Sequence, residues 1–272
     1  MPVLWGSLSQ FDAAHTSPRP IPRRDPPSSR AALEALLAEG PVVLRGALSA
    51  KQLQALSLDA LAGLDDAVLA PAAPVRDGRV VLDPRRGLRT APVPVADFAR
   101  RAAAGPTGAY VAADARDLPA ALRDLIPTSA LLHTAHWRVT KLWVGAAGTT
   151  SALHRDLAHN LHTVIEGRKR FWLAAPAHDG DVYPCAPWAS VPNGARVDPE
   201  APDLARFPRF SRVRPWLTDV SPGEALLLPA RWWHHVRSEA ASVAVNTFFA
   251  WGAHAVAVAA ANAVKGAVGL NR

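Results

Sequence analysis

The feature that most constrains this chain is a run of short apolar segments in its second half, each cut off by turn residues. RVTKLWVG, LHTVIEG with RFWLA, EALLLPA, WWHHVRS and SVAVNTFFAW are rich in β-branched and aromatic side chains and separated by Gly, Pro and Asp. That pattern predicts the strands of a β-sandwich or barrel. At 272 residues the whole chain is expected to form one domain, because all-β barrels of this length often share a single core.

The first half reads differently. Residues 16–29 (TSPRPIPRRDPPSS) are rich in Pro, Arg and Ser, which predicts an arm within residues 1–30 that is extended or partly mobile rather than packed. Ser28 or Ser29 is placed to cap a helix in AALEALLAEG, where Leu33, Leu36 and Leu37 fall at helical spacing before Gly40. PVVLRGAL reads as a short buried strand and LSAKQLQALSLDALAGL as one further amphipathic helix. The Pro-, Gly- and Arg-dense stretch that runs on to about residue 94 has no legible period, and residues 109–126 suggest a short strand and a helix. The expected order is a helical and mixed part over 31–138, a barrel core over 139–251 and a C-terminal helix over 252–272. Residues 176–216 interrupt the strand block with many prolines and polar residues, as a long loop at a barrel mouth would.

Composition narrows the function classes. With 49% hydrophobic and 19% charged residues the chain lies in the globular range, which argues against general disorder. The formal charge is +7, but the basic residues are scattered and nearly all arginine, an Ala- and Pro-rich bias typical of a GC-rich bacterial genome. A nucleic-acid surface would cluster them on one face with interleaved aromatics, so nucleic acid is not expected as a partner, while an acidic substrate stays open. The lone Cys185 rules out an intrachain disulfide, and no basic start leads into an apolar run, so a cytoplasmic location is expected. The tail GAHAVAVAAANAVKGAVGL carries His254, Asn262 and Lys265, which suits a helix packed on the core or on a second subunit better than a membrane span.

The chemistry concentrates in two places. SALHRDLAHN holds His154 and Asp156 two residues apart, a spacing that on a strand sends both side chains to one face and Arg155 to the other. PARWWHHVRS brings His234 and His235 about eighty residues later; only one of two adjacent strand residues can face the interior, and His234 is the preferred ligand. Two imidazoles and one carboxylate on one side of a metal leave three positions open, the arrangement of non-haem Fe(II) oxygenases. A His-x-Asp pair alone is a common accident, so its context carries the case. His133, His136, His159 and His162 are read as structural or surface residues.

That context resembles a known family. His154-x-Asp156, then Asn160, the turn EGRKR leading into an apolar strand, DLARFPRF, SPGEALLLPARWWHHV and VNTFF resemble, in order and near spacing, the JmjC-type and cupin-like hydroxylases, in particular the asparaginyl hydroxylase of hypoxia-inducible factor. Weaker likeness runs upstream through IPRRDP, PVVLRGAL and AYVAAD. The resemblance implies a double-stranded β-helix, the cupin or jelly-roll barrel, with N-terminal helices and a C-terminal helix. It also implies Fe(II), 2-oxoglutarate as cosubstrate and O2, and it supports His234 over His235 as third ligand.

A keto acid's distal carboxylate needs a buried cation, since an unpaired buried charge is costly. Lys169, one of only four lysines, matches the family's residue for that task, with Tyr110 sharing the carboxylate. Ser151 stands where the family often has threonine, and Asn160 and Asn246 match positions that line the pocket. Trp143, Phe171, Trp233 and Phe248 are read as barrel packing. The implied reaction is hydroxylation of a C–H bond in a peptide, protein side chain or small molecule, with succinate and CO2 as coproducts and demethylation as the same chemistry on an N-methyl group. The competing readings are a keto-acid-independent metal cupin and a non-catalytic ligand-binding barrel. The apolar tail permits a homodimer through the C-terminal helix.

Overall fold

The computed structural model describes residues 18–83, 87–189 and 191–267. Residues 1–17 of the expected arm and the last five residues of the expected C-terminal helix lie outside them. In chain order the strands are β1 (Arg19–Pro20), β2 (Arg23–Arg24), β3 (Val42–Leu44), β4 (Leu69–Arg76), β5 (Arg79–Val80), β6 (Leu82–Asp83), β7 (Gly87–Leu88), β8 (Ala91–Pro94) and β9 (Ala109–Asp114). They continue as β10 (Trp137–Gly145), β11 (Thr150–Arg155), β12 (His159–Glu166), β13 (Lys169–Ala174), β14 (Trp216–Val220), β15 (Ala225–Leu228), β16 (Trp233–Ser238) and β17 (Ser242–Ala250). The helices are α1 (Arg30–Glu39), α2 (Ala50–Ala55), α3 (Leu58–Ala62), α4 (Val95–Ala104), α5 (Ala120–Arg123) and α6 (Gly252–Ala267).

Two sheets face each other. One runs β14-β13-β16-β11, the other β9-β10-β17-β12-β15-β3, and the β4/β5 hairpin joins them along one side. This is the mainly β barrel expected, with helices before it and one after. Period-two alternation assigns every side chain to the inside or the outside. Inside, at one end, Val43, Val164, Phe171, Leu173, Val220, Leu226 and Leu228 fill the space between the sheets. Outside, Leu142, Val144, Val243 and Val245 pack under α3 and α4 through Leu58, Leu61 and Phe98. Leu33 and Leu37 of α1 cover Ala225, Leu227 and Phe249. The outer face of the smaller sheet, Leu153, Trp172 and Trp233, is covered by Val182, Val197, Phe207, Phe210 and Val213 of the 176–216 insertion.

The structure departs from the sequence reading in four places. The described part of the arm is extended but packed: β1 pairs with β14, β2 pairs with β3, and Ile21 between them is buried. The single helix expected over LSAKQLQALSLDALAGL is two, because the Ser57 side chain accepts a hydrogen bond from Ala60 N and starts α3 afresh. The break lets Leu56, Leu58 and Leu61 all reach the core. The helix suggested by 109–126 shrinks to the four residues of α5 beyond strand β9. The Pro- and Gly-rich stretch before residue 94 contributes β4 and β8, so the barrel draws strands from both halves of the chain rather than from 139–251 alone. Among the described residues no helix is long and apolar enough to cross a membrane.

Candidate metal centre

His154 owes its direction to an irregularity. β11 pairs antiparallel with β16, Ser151 opposite Val236 and His154 opposite His234, so three steps on one strand match two on the other. Regular alternation would put positions three apart on opposite faces; the bulge absorbs one residue and turns both inward. Leu153 and Arg155 then point outward, Leu153 into the core beneath the insertion and Arg155 to Asp179. Asp156 lies just past the strand end, where its carbonyl oxygen accepts from Arg231 N at 2.7 Å.

His154, Asp156 and His234 each offer one ligand atom, and these atoms lie within 4.8 Å of one another. His234 Nε2 is 3.3 Å from Asp156 Oδ2, and the two imidazole rings are 4.1 Å apart at their centroids. Both rings are oriented from behind. His154 Nδ1 is 2.7 Å from the Ala152 carbonyl oxygen and His234 Nδ1 is 3.0 Å from that of Trp232. A carbonyl oxygen only accepts, so each Nδ1 carries the proton and each Nε2 lone pair is left facing the centre.

The electrostatics agree. Burial, with the neighbouring His234, pushes the His154 imidazole down to about 4, so it is neutral and able to coordinate at neutral pH. Burial alone would raise Asp156; the neighbouring imidazoles, His234 first and then His154, with Lys141 hold it down at about 2. Asp156 Oδ2 is buried without a well-formed hydrogen bond, an orphaned carboxylate oxygen aimed at two imidazole nitrogens. This donor set fits a divalent transition metal.

His235 lies on the opposite face of β16, its Nε2 2.7 Å from Glu200 Oε1 of the insertion. Of the two adjacent histidines only His234 joins the cluster.

Further along the interior, Lys169 is 1% exposed, and its Nζ donates to Tyr110 OH at 3.1 Å and Ser238 Oγ at 2.8 Å. Neither partner is an acid. Burial pulls its ammonium down to about 7 and pushes the Tyr110 phenol well above its ordinary value. A buried cation held only by two hydroxyls is ready for an anion. Tyr110 stacks on Trp143, and Trp143 Nε1 donates to Asn246 Oδ1 at 2.7 Å, which ties Asn246 into the same wall. Gly145 makes room for this wall, since a Cβ there would sit 2.4 Å from Tyr110 Cδ2.

Ser151 faces inward on β11 opposite Val236, midway in the register between Ser238 and His234. Asn160 is buried opposite Leu228 and Phe248, its Oδ1 unpartnered. Sequence reasoning missed three neighbours. His162, read as structural or surface, is opposite Asn246 with Nε2 buried and unpartnered, pushed down to about 3 by burial and by the charges of Lys169 and His234. Trp143, read as packing, lines the pocket. Ser238 is opposite Lys169 in the register, a pairing that no local signal announces. A separate cavity of about 100 Å³ lies on the outer side of the larger sheet against Leu33, Leu132, Leu161 and Leu227. No acid or base lines it, so it is not the place for this chemistry.

Comparison with known proteins adds one family match and three relatives. The cupin-like domain family matches residues 30–252. Jumonji C domain-containing protein 5 of Drosophila melanogaster is 41% identical over 106 residues, 39% of this chain and 26% of that protein. Lysine-specific demethylase 8 of Xenopus tropicalis is 38% identical over 104 residues, 38% of this chain and 23% of that protein. The bifunctional peptidase and (3S)-lysyl hydroxylase JMJD7 of Homo sapiens is 30% identical over 168 residues, 52% of each. The matches thus span between 23% and 52% of the length of these relatives.

Proposed function

Because the chain belongs to the cupin-like domain family, we propose that it is an Fe(II)- and 2-oxoglutarate-dependent oxygenase that hydroxylates a C–H bond of a peptide or protein side chain. The observation that carries this reading is the pairing, inside one barrel, of the His154, Asp156 and His234 cluster with an uncompensated buried Lys169. A metal site alone fits many cupins. A metal site facing a buried ammonium fits one that takes a dianionic cosubstrate.

In this reading His154, Asp156 and His234 hold the iron, and bound iron supplies O2 activation coupled to decarboxylation of the keto acid to succinate. Lys169, Tyr110 and Ser238 receive the distal carboxylate of 2-oxoglutarate, replacing its water shell with one charged donor and hydroxyl groups. Ser151, Asn160 and Asn246 line the space between that carboxylate and the metal, and Trp143 holds Asn246 in orientation. The apolar floor of Val164, Phe171 and Val236 keeps water from the reacting centre.

The names of the relatives include both a lysyl hydroxylase and a lysine-specific demethylase. Hydroxylation is the proposed outcome here, since demethylation needs the further condition of an N-methyl group on the substrate. The free Cys185 fits a reducing, cytoplasmic compartment. Helix α6 leaves Val256 exposed at 70% and Val264 at 64%, the face on which a homodimer would form.

The test is an anaerobic Fe(II) titration in the presence of 2-oxoglutarate, following the visible charge-transfer band of a keto-acid chelate. The band is expected in the wild type, absent in His154→Ala and weakened in Lys169→Ala. A wild type that binds iron and never shows the band would point instead to a cupin that uses no keto acid.

A further inference from the structure

The 176–216 insertion carries a cationic surface that the metal site does not use. Three exposed arginines gather around two rings: Arg196 lies 5.8 Å from the Tyr183 centroid and 5.9 Å from that of Phe207, Arg206 lies 5.2 Å from Phe207, and Arg209 lies 4.6 Å from Tyr183. Stacking occupies the flat face of a guanidinium and leaves its N–H edge free to donate. Tyr183 is itself pinned, its hydroxyl accepting from Arg209 N at 2.9 Å, and it holds a left-handed backbone with φ of 52°. A non-glycine residue kept in that region marks a local arrangement that the surroundings enforce.

Among the described residues of the insertion, Asp203 is the one acid held beside this cluster, against three guanidiniums. The other carboxylates of the insertion are committed elsewhere: Asp179 to Arg155, Arg231 and Trp233, Asp181 to His178, Asp198 to Arg79, and Glu200 to His235 and Arg237. Asp203 accepts from the backbone N–H of Arg206. Among the described residues no ion pair is formed by Arg196, Arg206 or Arg209. Three like charges held close together with a single carboxylate beside them repel one another, and an acidic partner relieves that repulsion.

The cluster is also in register with the metal centre. Arg196 N donates to Tyr183 O at 2.9 Å, Ala195 N to Leu153 O at 2.8 Å and Arg155 N to Asn193 O at 3.0 Å. Residues 193–196 therefore form a rung between Tyr183 and strand β11, with Gly194 bridged to His154. The backbone that carries Arg196 is thus paired, through Gly194, with His154 of the metal cluster.

We propose that Arg196, Arg206 and Arg209 form a docking surface for an acidic stretch of polypeptide, which holds the partner beside the mouth of the barrel. That the docked chain is also the substrate rests on the oxygenase reading; the binding itself does not. Nucleic acid fits less well, because a single strand needs successive open rings and the protein's own guanidiniums already cover Tyr183 and Phe207. Trp188, 87% exposed, is the one large aromatic left open among the described residues.

The experiment is fluorescence anisotropy of a fluorescein-labelled peptide of alternating Glu and Gly, titrated with the full chain at low salt. The wild type is expected to bind, and the triple Arg196→Ala, Arg206→Ala, Arg209→Ala variant to bind about tenfold more weakly or worse. A charge-matched control, Arg45→Ala, Lys51→Ala and Arg123→Ala, is expected to bind as the wild type does, and so is His154→Ala. All three replaced arginines are exposed; should the triple variant not fold, Arg209→Glu alone carries the same expectation. No binding by the wild type, equal weakening in both triple variants, or displacement of the peptide by an equal concentration of oligouridylate overturns the proposal. Peptide binding that persists while the keto-acid band is absent would overturn the oxygenase reading and leave the docking surface standing.

Discussion

His234 and His235 are adjacent on β16 and serve opposite faces of one sheet, His234 Nε2 at 3.3 Å from Asp156 inside the barrel and His235 Nε2 at 2.7 Å from Glu200 beneath the insertion. Replacing each by alanine separates the two roles. His234→Ala is expected to abolish Fe(II) binding and leave the fold intact. His235→Ala is expected to retain iron and lose about 1–3 kcal/mol of stability, since it leaves Glu200 with Arg237 alone in a half-buried setting. Calorimetric iron titration and chemical denaturation of both variants check this.

Lys169→Met keeps the volume of the side chain and removes its charge. It is expected to preserve or slightly raise the stability of the ligand-free protein, because a buried ammonium with only hydroxyl partners is costly. The same change should weaken 2-oxoglutarate binding at least about tenfold, the scale of one lost charge-assisted contact. Thermal unfolding and keto-acid titration would show the two effects moving in opposite directions.

The Lys169 ammonium, pulled down to about 7 by burial, also sets a pH dependence. Between about pH 7 and the ordinary lysine value the unfolded chain holds this proton and the folded one does not, so raising the pH through that window adds stability through this group. Below it both states are charged and the cost of burying the ammonium stands in full. Binding of the keto acid reverses the sign: its carboxylate raises the ammonium back up, so a proton is taken up and affinity falls as pH rises above about 7. Titration calorimetry at pH 8 in buffers of different ionisation enthalpy should detect the uptake, and none in Lys169→Met.

Gly145→Ala is a remote probe of the same pocket. The added methyl would meet Tyr110 Cδ2 at 2.4 Å, so the ring must shift and carry its hydroxyl away from Lys169. The variant is expected to bind Fe(II) normally and 2-oxoglutarate several-fold more weakly. Equal affinity for the keto acid would show that Tyr110 is not part of its site.

Asp179 joins the insertion to the barrel by accepting from Arg155, Arg231 and Trp233 Nε1. Asp179→Ala leaves the buried indole N–H of Trp233 without that partner, a loss of about 1–3 kcal/mol. Limited proteolysis should then cut within 176–216 faster than in the wild type, while the barrel core resists.

Much of the site was legible in the chain, for reasons that can be traced to particular residues. His154 and Asp156 are close in sequence, the Ser29 cap and the Leu33 and Leu37 stripe are local, and turn residues bound the strands at short range. The break at Ser57 was missed because a serine inside a helical period reads equally as an ordinary helical residue and as a new cap; the burial of Leu56, Leu58 and Leu61 decides between them. The arm was read as unpacked because its partners, β14 and β3, are remote or weakly signalled.

What the sequence determined by itself is the class of fold and the inventory of chemistry: alternating apolar strands, a His-x-Asp pair, two later histidines and a lysine where lysine is scarce. What only the tertiary structure decided is which of these meet. The bulge between Ser151 and His154 turns two positions of opposite parity to one face, the register of β13 on β16 sets Ser238 against Lys169, and the insertion claims His235 for Glu200. Each is a pairing between strands far apart in the chain, and a strand's own sequence specifies its alternation but not the neighbour or the step at which it pairs.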